Sequence, residues 1–277
     1  MDPLTFAASP TPEEGSGLAS GAASGVASGA ASVVASRSAS GLTSGLASAS
    51  LPSRTRIKLC GLSRVETVQH AVALGADAVG MVFYPPSPRA IDIARAAELA
   101  RHVPPFVTIV GLFVNPDEAL LREVTAAVPL GALQFHGDET PARCAALAAA
   151  VRLPWLRAVR VKSDSMPADL VESSVNYAAA QGLLLDAHVE GYGGGGKVFD
   201  WSIIPAELAR RAVLSGGLNA QNVREAIARV RPYAVDVSSG IEAEGARGVK
   251  DHARMTAFVR AVREADAASL ESPLSKP

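Results

Sequence analysis

Cysteine is almost missing from this chain: Cys60 and Cys144 are the only two in 277 residues. Two thiols do not make a disulfide framework, and a reducing compartment suits them, so a cytoplasmic location is expected. No run of about 18 uninterrupted apolar residues occurs, so no membrane partner is expected. Neither sign of charge dominates. The formal net charge is -1, so no global field draws nucleic acid, and none is expected as a partner. The five histidines show no metal-ligand spacing and no Cys/His cluster exists, so no metal is expected. A G-x-G-x-x-G turn after the first apolar strand is also lacking, which argues against a dinucleotide site there.

What is present divides sharply. Residues 15–50 are almost entirely Gly, Ala and Ser, with one charge at Arg37. Such side chains bury too little area to offset chain entropy, so residues 1–53 are expected to be a disordered extension. The start carries Asp2, Glu13 and Glu14 and no compact apolar segment, unlike a signal peptide. A flexible tail and an upstream start codon both remain open. Residues 54–266 are read as the catalytic domain and 267–277 as a C-terminal tail. Hydrophobic residues are 48% of the chain, ample for a core.

From Arg56 onward two periodicities alternate. Apolar strands are expected at 57–60, 78–83, 108–114, 132–135, 156–160, 183–186, 212–215 and 234–237. Helical spacing falls at 65–74, 93–102, 116–128, 141–151, 169–179, 202–209, 220–230 and 252–265. Ser63 stands three residues before Glu66, a capping-box spacing. Asn115 precedes Pro116, and Asn219 precedes Ala220, as start signals. Gly75 sits where the first helix should end. Eight such units in roughly 210 residues fit a closed (β/α)8 barrel, an α/β TIM barrel. A doubly wound open sheet is the rival.

In a barrel the carboxyl ends of all strands share one face, and chemistry sits there. Arg56-Ile-Lys-Leu-Cys-Gly61 ends a strand in a thiol, and Gly182-Leu-Leu-Leu-Asp186 ends another in a carboxyl. Lys58 and Cys60 are two apart and share a side, so the ammonium is expected to favour the thiolate. The bland alternative is a small buried cysteine. Cys144 falls mid-helix and reads as packing or surface. A carboxylate closing an apolar strand is costly unless something uses it, although Asp also caps loops. Gln134 and His136 share a side at the fourth strand end. Arg89 ends the rigid Tyr84-Pro-Pro-Ser-Pro-Arg89 loop, and a fixed guanidinium suits a substrate carboxylate. Four glycines at 193–196, within His188–Asp200, suit close approach to a ligand or a mobile lid, or a plain surface loop. Leu214-Ser-Gly-Gly217 and Asp236-Val-Ser-Ser-Gly240 stand after the seventh and eighth strands, where such barrels frequently hold phosphate. Asp236 would repel phosphate, so an orienting role is expected for it.

These motifs occur in order. Lys58-Leu-Cys-Gly61, Phe83-Tyr-Pro-Pro-Ser-Pro-Arg89, Gly111-Leu-Phe-Val-Asn115, Gln134-Phe-His-Gly137, Leu185-Asp186, Leu214-Ser-Gly-Gly-Leu218 and Val235-Asp-Val-Ser-Ser-Gly240 together resemble the phosphoribosylanthranilate isomerase family. The likeness covers about residues 54 to 265. Leu59, Met81 and Phe135 depart from the usual motif only by apolar exchange. The resemblance implies an Amadori rearrangement of N-(5'-phosphoribosyl)anthranilate in tryptophan synthesis, without a cofactor. It implies Asp186 as general acid and Cys60 as general base. Arg89 would hold the anthranilate carboxylate, with Lys58, Gln134 and His136 also at the substrate. Gly216, Gly217, Ser238, Ser239 and Gly240 would hold the phosphate. The expected partner is a small phosphosugar, and the expected state a monomer or homodimer. An indole-glycerol-phosphate synthase would need a catalytic lysine with glutamates at the strand ends, and that set is not found. A non-catalytic phosphosugar sensor could dispense with Cys60 or Asp186, and both are present.

Overall fold

A computed structural model describes residues 54–187 and 198–271. The expected tail at 1–53, the glycine run at 193–196 and the end of the chain from 272 lie outside the described residues.

Eight parallel strands close into a barrel in sequence order, each followed by helical structure. The strands are β1 Arg56–Cys60, β2 Ala78–Phe83, β3 Thr108–Phe113, β4 Ala132–Phe135, β5 Trp155–Val161, β6 Gly182–Ala187, β7 Val213–Leu214 and β8 Ala234–Val237. The helices are α1 Val65–Ala73, α2 Ile93–Ala100, α3 Glu118–Ala127, α4 Pro141–Val151, α5 Pro167–Asn176, α6 Ala206–Ala209, α7 Val223–Val230 and α8 His252–Glu271. The open-sheet alternative is excluded by the β1–β8 seam, where Lys58 pairs in register with Asp236.

Strand alternation sorts the side chains into two cores. Residues facing the helices, such as Ile57, Leu59, Leu133, Phe135, Leu183, Leu185 and Val235, join the large apolar shell between sheet and helices. Residues facing inward form a small second cluster of Ala158, Leu184, Val213 and Ala234. Two residues further on stand Asp186 in β6, Ser215 just past β7, and Asp236 in β8. The barrel interior is therefore plugged by small apolar groups below and lined by polar groups at the carboxyl rim.

The local signals hold in part. Gly75 takes φ +75° and its N–H reaches Val72 O at 2.9 Å, closing α1. Asn219 Oδ1 accepts from Gln221 N at 2.9 Å and caps the turn that enters α7. Two start signals fall elsewhere. Arg64, not Ser63, precedes α1, and the Ser63 carbonyl instead accepts Arg95 Nε at 3.0 Å. Asn115 turns through φ +47°, and Asp117 caps α3 by accepting from Leu120 N at 2.8 Å. The single helix expected at 202–209 is a 3₁₀ turn, Trp201–Ile203, separated by Pro205 from α6. Proline has no N–H to give and disfavours a helical residue before it, so the segment breaks there. Helix α8 runs to Glu271, five residues into the stretch read as a tail.

Candidate active site

The carboxyl rim opens onto a cleft of about 590 Å³, open solvent included. Cys60 from β1, Gln134 and His136 from β4, and Asp186 from β6 reach it from strand ends. Arg89 enters from the loop after β2, Gly216 and Gly217 from the loop after β7, and Ser238 and Ser239 from the loop after β8. The barrel thus gathers nine of the eleven expected residues on one surface. Lys58 and Gly240 do not line it.

Lys58 lies just under the cleft floor. Its Nζ is 2.7 Å from Asp236 Oδ1, and Ser215 Oγ donates to Asp236 Oδ2 at 3.0 Å. All three side chains are buried. Burial works against the ammonium, but the Asp236 carboxylate outweighs it and holds Lys58 protonated. Asp236 therefore does more than orient a loop: it neutralises the lysine.

Burial, helped by Asp236, corrects the expectation of a favoured thiolate. Burial pushes the Cys60 thiol above its ordinary value, and Asp236 pushes the same way. Lys58 and Lys250 pull it down without winning. Space for the sulfur comes from β2: a Cβ on Gly80 would stand 2.6 Å from Cys60 Sγ.

Gln134 Nε2 is 3.1 Å from His136 Nδ1. With that amide donating, the imidazole proton sits on Nε2, facing Asp186. His136 Nε2 is 3.2 Å from Asp186 Oδ2, off the line of a hydrogen bond, and has no other partner among the described residues. Gln134 Oε1 is likewise buried and without a partner among the described residues. Two polar atoms of the cleft wall are thus left for a ligand to satisfy, since buried polar groups are normally paired.

The end of the cleft expected to receive the phosphate is built largely from backbone. Gly216 and Gly217 take φ +80° and +65°, a left-handed backbone that glycine adopts without steric cost. Ser239 and Gly240 open a 3₁₀ helix, Ser239–Ile241, whose first N–H groups have no intrahelical acceptor. A Cβ at Gly240 would meet Leu218 O at 1.9 Å, so this residue brings two loops together rather than lining the cleft itself.

A sequence profile of the N-(5'phosphoribosyl)anthranilate (PRA) isomerase family matches residues 57–261. The chain belongs to that family. An N-(5'-phosphoribosyl)anthranilate isomerase of Ralstonia nicotianae is 66% identical over 224 residues, which cover 78% of this chain and 95% of the relative. A phosphoribosyl anthranilate isomerase crystal structure from Thermotoga maritima superposes with a TM-score of 0.67 at 42% identity, covering 76% of this chain and 99% of that one. A second PRA isomerase structure, in complex with reduced 1-(o-carboxyphenylamino)-1-deoxyribulose 5-phosphate, gives 0.65 at 40% identity, with the same coverage of 76% and 99%. The matched span contains every PRA isomerase motif residue named above.

Three residues of this PRA isomerase site were not singled out from the sequence. Glu242 binds Arg89 through two contacts, to Nε at 2.6 Å and to NH2 at 3.0 Å. Burial raises the Glu242 carboxyl, but Arg89 and Lys250 outweigh it and hold it ionised. Lys250 Nζ sits 3.0 Å from Glu242 Oε1. Burial pushes this ammonium down from the ordinary lysine value against the pull of Glu242. Ser215 joins through Asp236. The only sequence signal for Lys250 was a lone lysine just ahead of α8. Among the described residues no group of three or more His, Cys, Asp and Glu is arranged to hold a metal ion.

Proposed function

We propose that the chain isomerises N-(5'-phosphoribosyl)anthranilate to 1-(o-carboxyphenylamino)-1-deoxyribulose 5-phosphate, with Cys60 and Asp186 as its proton-transfer pair. The observation that carries the reading is that this thiol and this carboxyl line one cleft from strands well apart around the ring, β1 and β6, with the glycine–serine loops beside them. A sugar seated there lies between an acid and a base.

The steps follow from that placement. The Asp186 carboxyl gives its proton to the furanose ring oxygen as the C1'–O bond breaks, and the nitrogen lone pair forms the C1'=N bond. Cys60, as thiolate, takes the C2' proton, and the C–H electrons pass into a C1'=C2' double bond as the iminium nitrogen is neutralised. The enolamine then tautomerises to the ketone, so no atom is gained or lost. Each cycle needs the thiolate, the minority form of a thiol raised by burial. The nearby Lys58 and Lys250 charges favour it at the moment of transfer. His136, with its proton toward Asp186, stands 3.2 Å from that carboxyl. Arg89 faces the substrate carboxylate. Gly216, Gly217, Ser238 and Ser239 receive the phosphate through N–H and hydroxyl donors. Gly240 holds the two phosphate loops together.

The test is direct. Freshly generated phosphoribosylanthranilate, given purified protein with no added metal or nucleotide, is expected to lose its anthranilate-type fluorescence at a rate proportional to protein. Decay no faster than the buffer blank contradicts the reading.

A further inference from the structure

Between the 3₁₀ helix after β8 and α8, the chain leaves the barrel and returns on itself. Glu242 and Lys250 face each other across an isolated antiparallel bridge. Ala243 N donates to Val249 O at 2.8 Å, and Asp251 N to Ile241 O at 2.9 Å. The two side chains at the neck of this loop are buried. Lys250 Nζ donates to the Ser238 carbonyl at 2.9 Å, to Ser238 Oγ at 3.2 Å and to Glu242 Oε1 at 3.0 Å. Glu242 in turn grips Arg89. The loop also presses on the chain just before Arg89, since a Cβ on Gly248 would stand 2.3 Å from Pro88 O. A chain of four side chains, three buried and the half-buried Ser238, therefore runs Arg89–Glu242–Lys250–Ser238. It joins the guanidinium end of the cleft to its phosphate end.

The charges have a consequence. One carboxylate serves two cations, so the trio carries a net positive charge beside the cleft. Without Lys250, the charges of Arg89 and Glu242 would cancel, and the Ser238 carbonyl would lose its nearer donor, keeping Ile241 N at 3.4 Å.

We propose that Lys250 is a positioning residue that couples the two ends of the cleft: it fixes the Ser238 loop for the phosphate and, by drawing on Glu242, keeps the Arg89 end positive toward a ligand carboxylate. This rests on the function proposed above. Lys250 itself is not among the residues lining the cleft.

Competitive inhibition by inorganic phosphate and by free anthranilate reads the two ends separately. In Lys250→Met, phosphate inhibition is expected to weaken about tenfold and anthranilate inhibition about fivefold, with KM rising more than kcat falls. The double variant Glu242→Gln/Lys250→Met restores charge at Arg89. Anthranilate inhibition should then return to within about twofold of wild type while phosphate inhibition stays weak. A merely structural lysine predicts no such split. Both constants unchanged in Lys250→Met, or no recovery in the double variant, overturns the proposal. Should Lys250→Met not fold, the wild-type protein still decides. By calorimetry, saturating phosphate should tighten anthranilate binding by roughly threefold or more, and independent or mutually weakened binding overturns the coupling. A wild-type protein inert toward phosphoribosylanthranilate overturns the functional reading itself and this coupling with it.

Discussion

Lys58 and Asp236 occupy the same rung of the β1–β8 seam, with Nζ 2.7 Å from Oδ1 inside the barrel. One ion pair thus sits where the sheet closes on itself and directly beneath the cysteine. Its charges are opposite and both sides are buried, so breaking it strands one of them.

Lys58→Met is expected to leave Asp236 uncompensated and to cost about 3–5 kcal/mol of stability. The same change removes the group that most lowers the Cys60 thiol. Alkylation of Cys60 should therefore require higher pH in this variant than in wild type. Denaturant unfolding and a pH series of thiol labelling check the two effects independently. A stable variant with an unmoved labelling profile would mean the pair does neither job.

The pH dependence follows from the direction of the Cys60 shift. The working form is the thiolate, and burial raises the thiol above its ordinary value. Below that raised value the thiolate fraction grows tenfold per pH unit. On the basic side, kcat/KM should therefore still be climbing at pH 8 rather than level. Cys144 is wholly buried, and burial pushes its thiol up to about 11. Iodoacetamide should accordingly modify Cys60 first, and product should protect it. Equal, unprotected labelling of the two cysteines would contradict the assignment.

Gly80 is the neighbour that gives the sulfur its place. A Cβ there would stand 2.6 Å from Cys60 Sγ and 3.0 Å from Cys60 Cα, so a methyl must displace the reacting atom. Gly80→Ala is expected to lower kcat on the order of 10²-fold while binding of inorganic phosphate stays within about twofold. Steady-state kinetics with phosphate as competitive inhibitor measures both. Unchanged kcat would show that the thiol's position is not limiting.

What the sequence showed was mostly local or periodic. Strand alternation predicted that Lys58 and Cys60 share a side and that Gln134 and His136 do; the apolar run put Asp186 at a strand end, and β6 continues one residue further, to Ala187. Gly75 closes α1 because a left-handed residue is needed there and the glycine is visible in the sequence. What it could not show was which distant group meets which. Lys58 was expected to favour the thiolate and does pull the thiol down, but burial outweighs it and Asp236, 178 residues away in sequence from Lys58, pushes the other way. Arg89 was legible as a rigid guanidinium, while its partner Glu242 lies in a loop 153 residues on. Ser63 had the right chemistry for a cap, yet Arg95 from α2 claimed its carbonyl. Pairing across the barrel is set by closure, and closure is not written in any one segment.

The account stands on Cys60 and Asp186 working as a pair on one bound sugar. Single-turnover conversion of phosphoribosylanthranilate by Cys60→Ala and by Asp186→Asn, alongside product affinity for each variant, measures this most directly. The account predicts that each variant loses turnover by about 10³-fold or more while product affinity stays within about threefold of wild type. Isomerisation at an undiminished rate in either variant would contradict it.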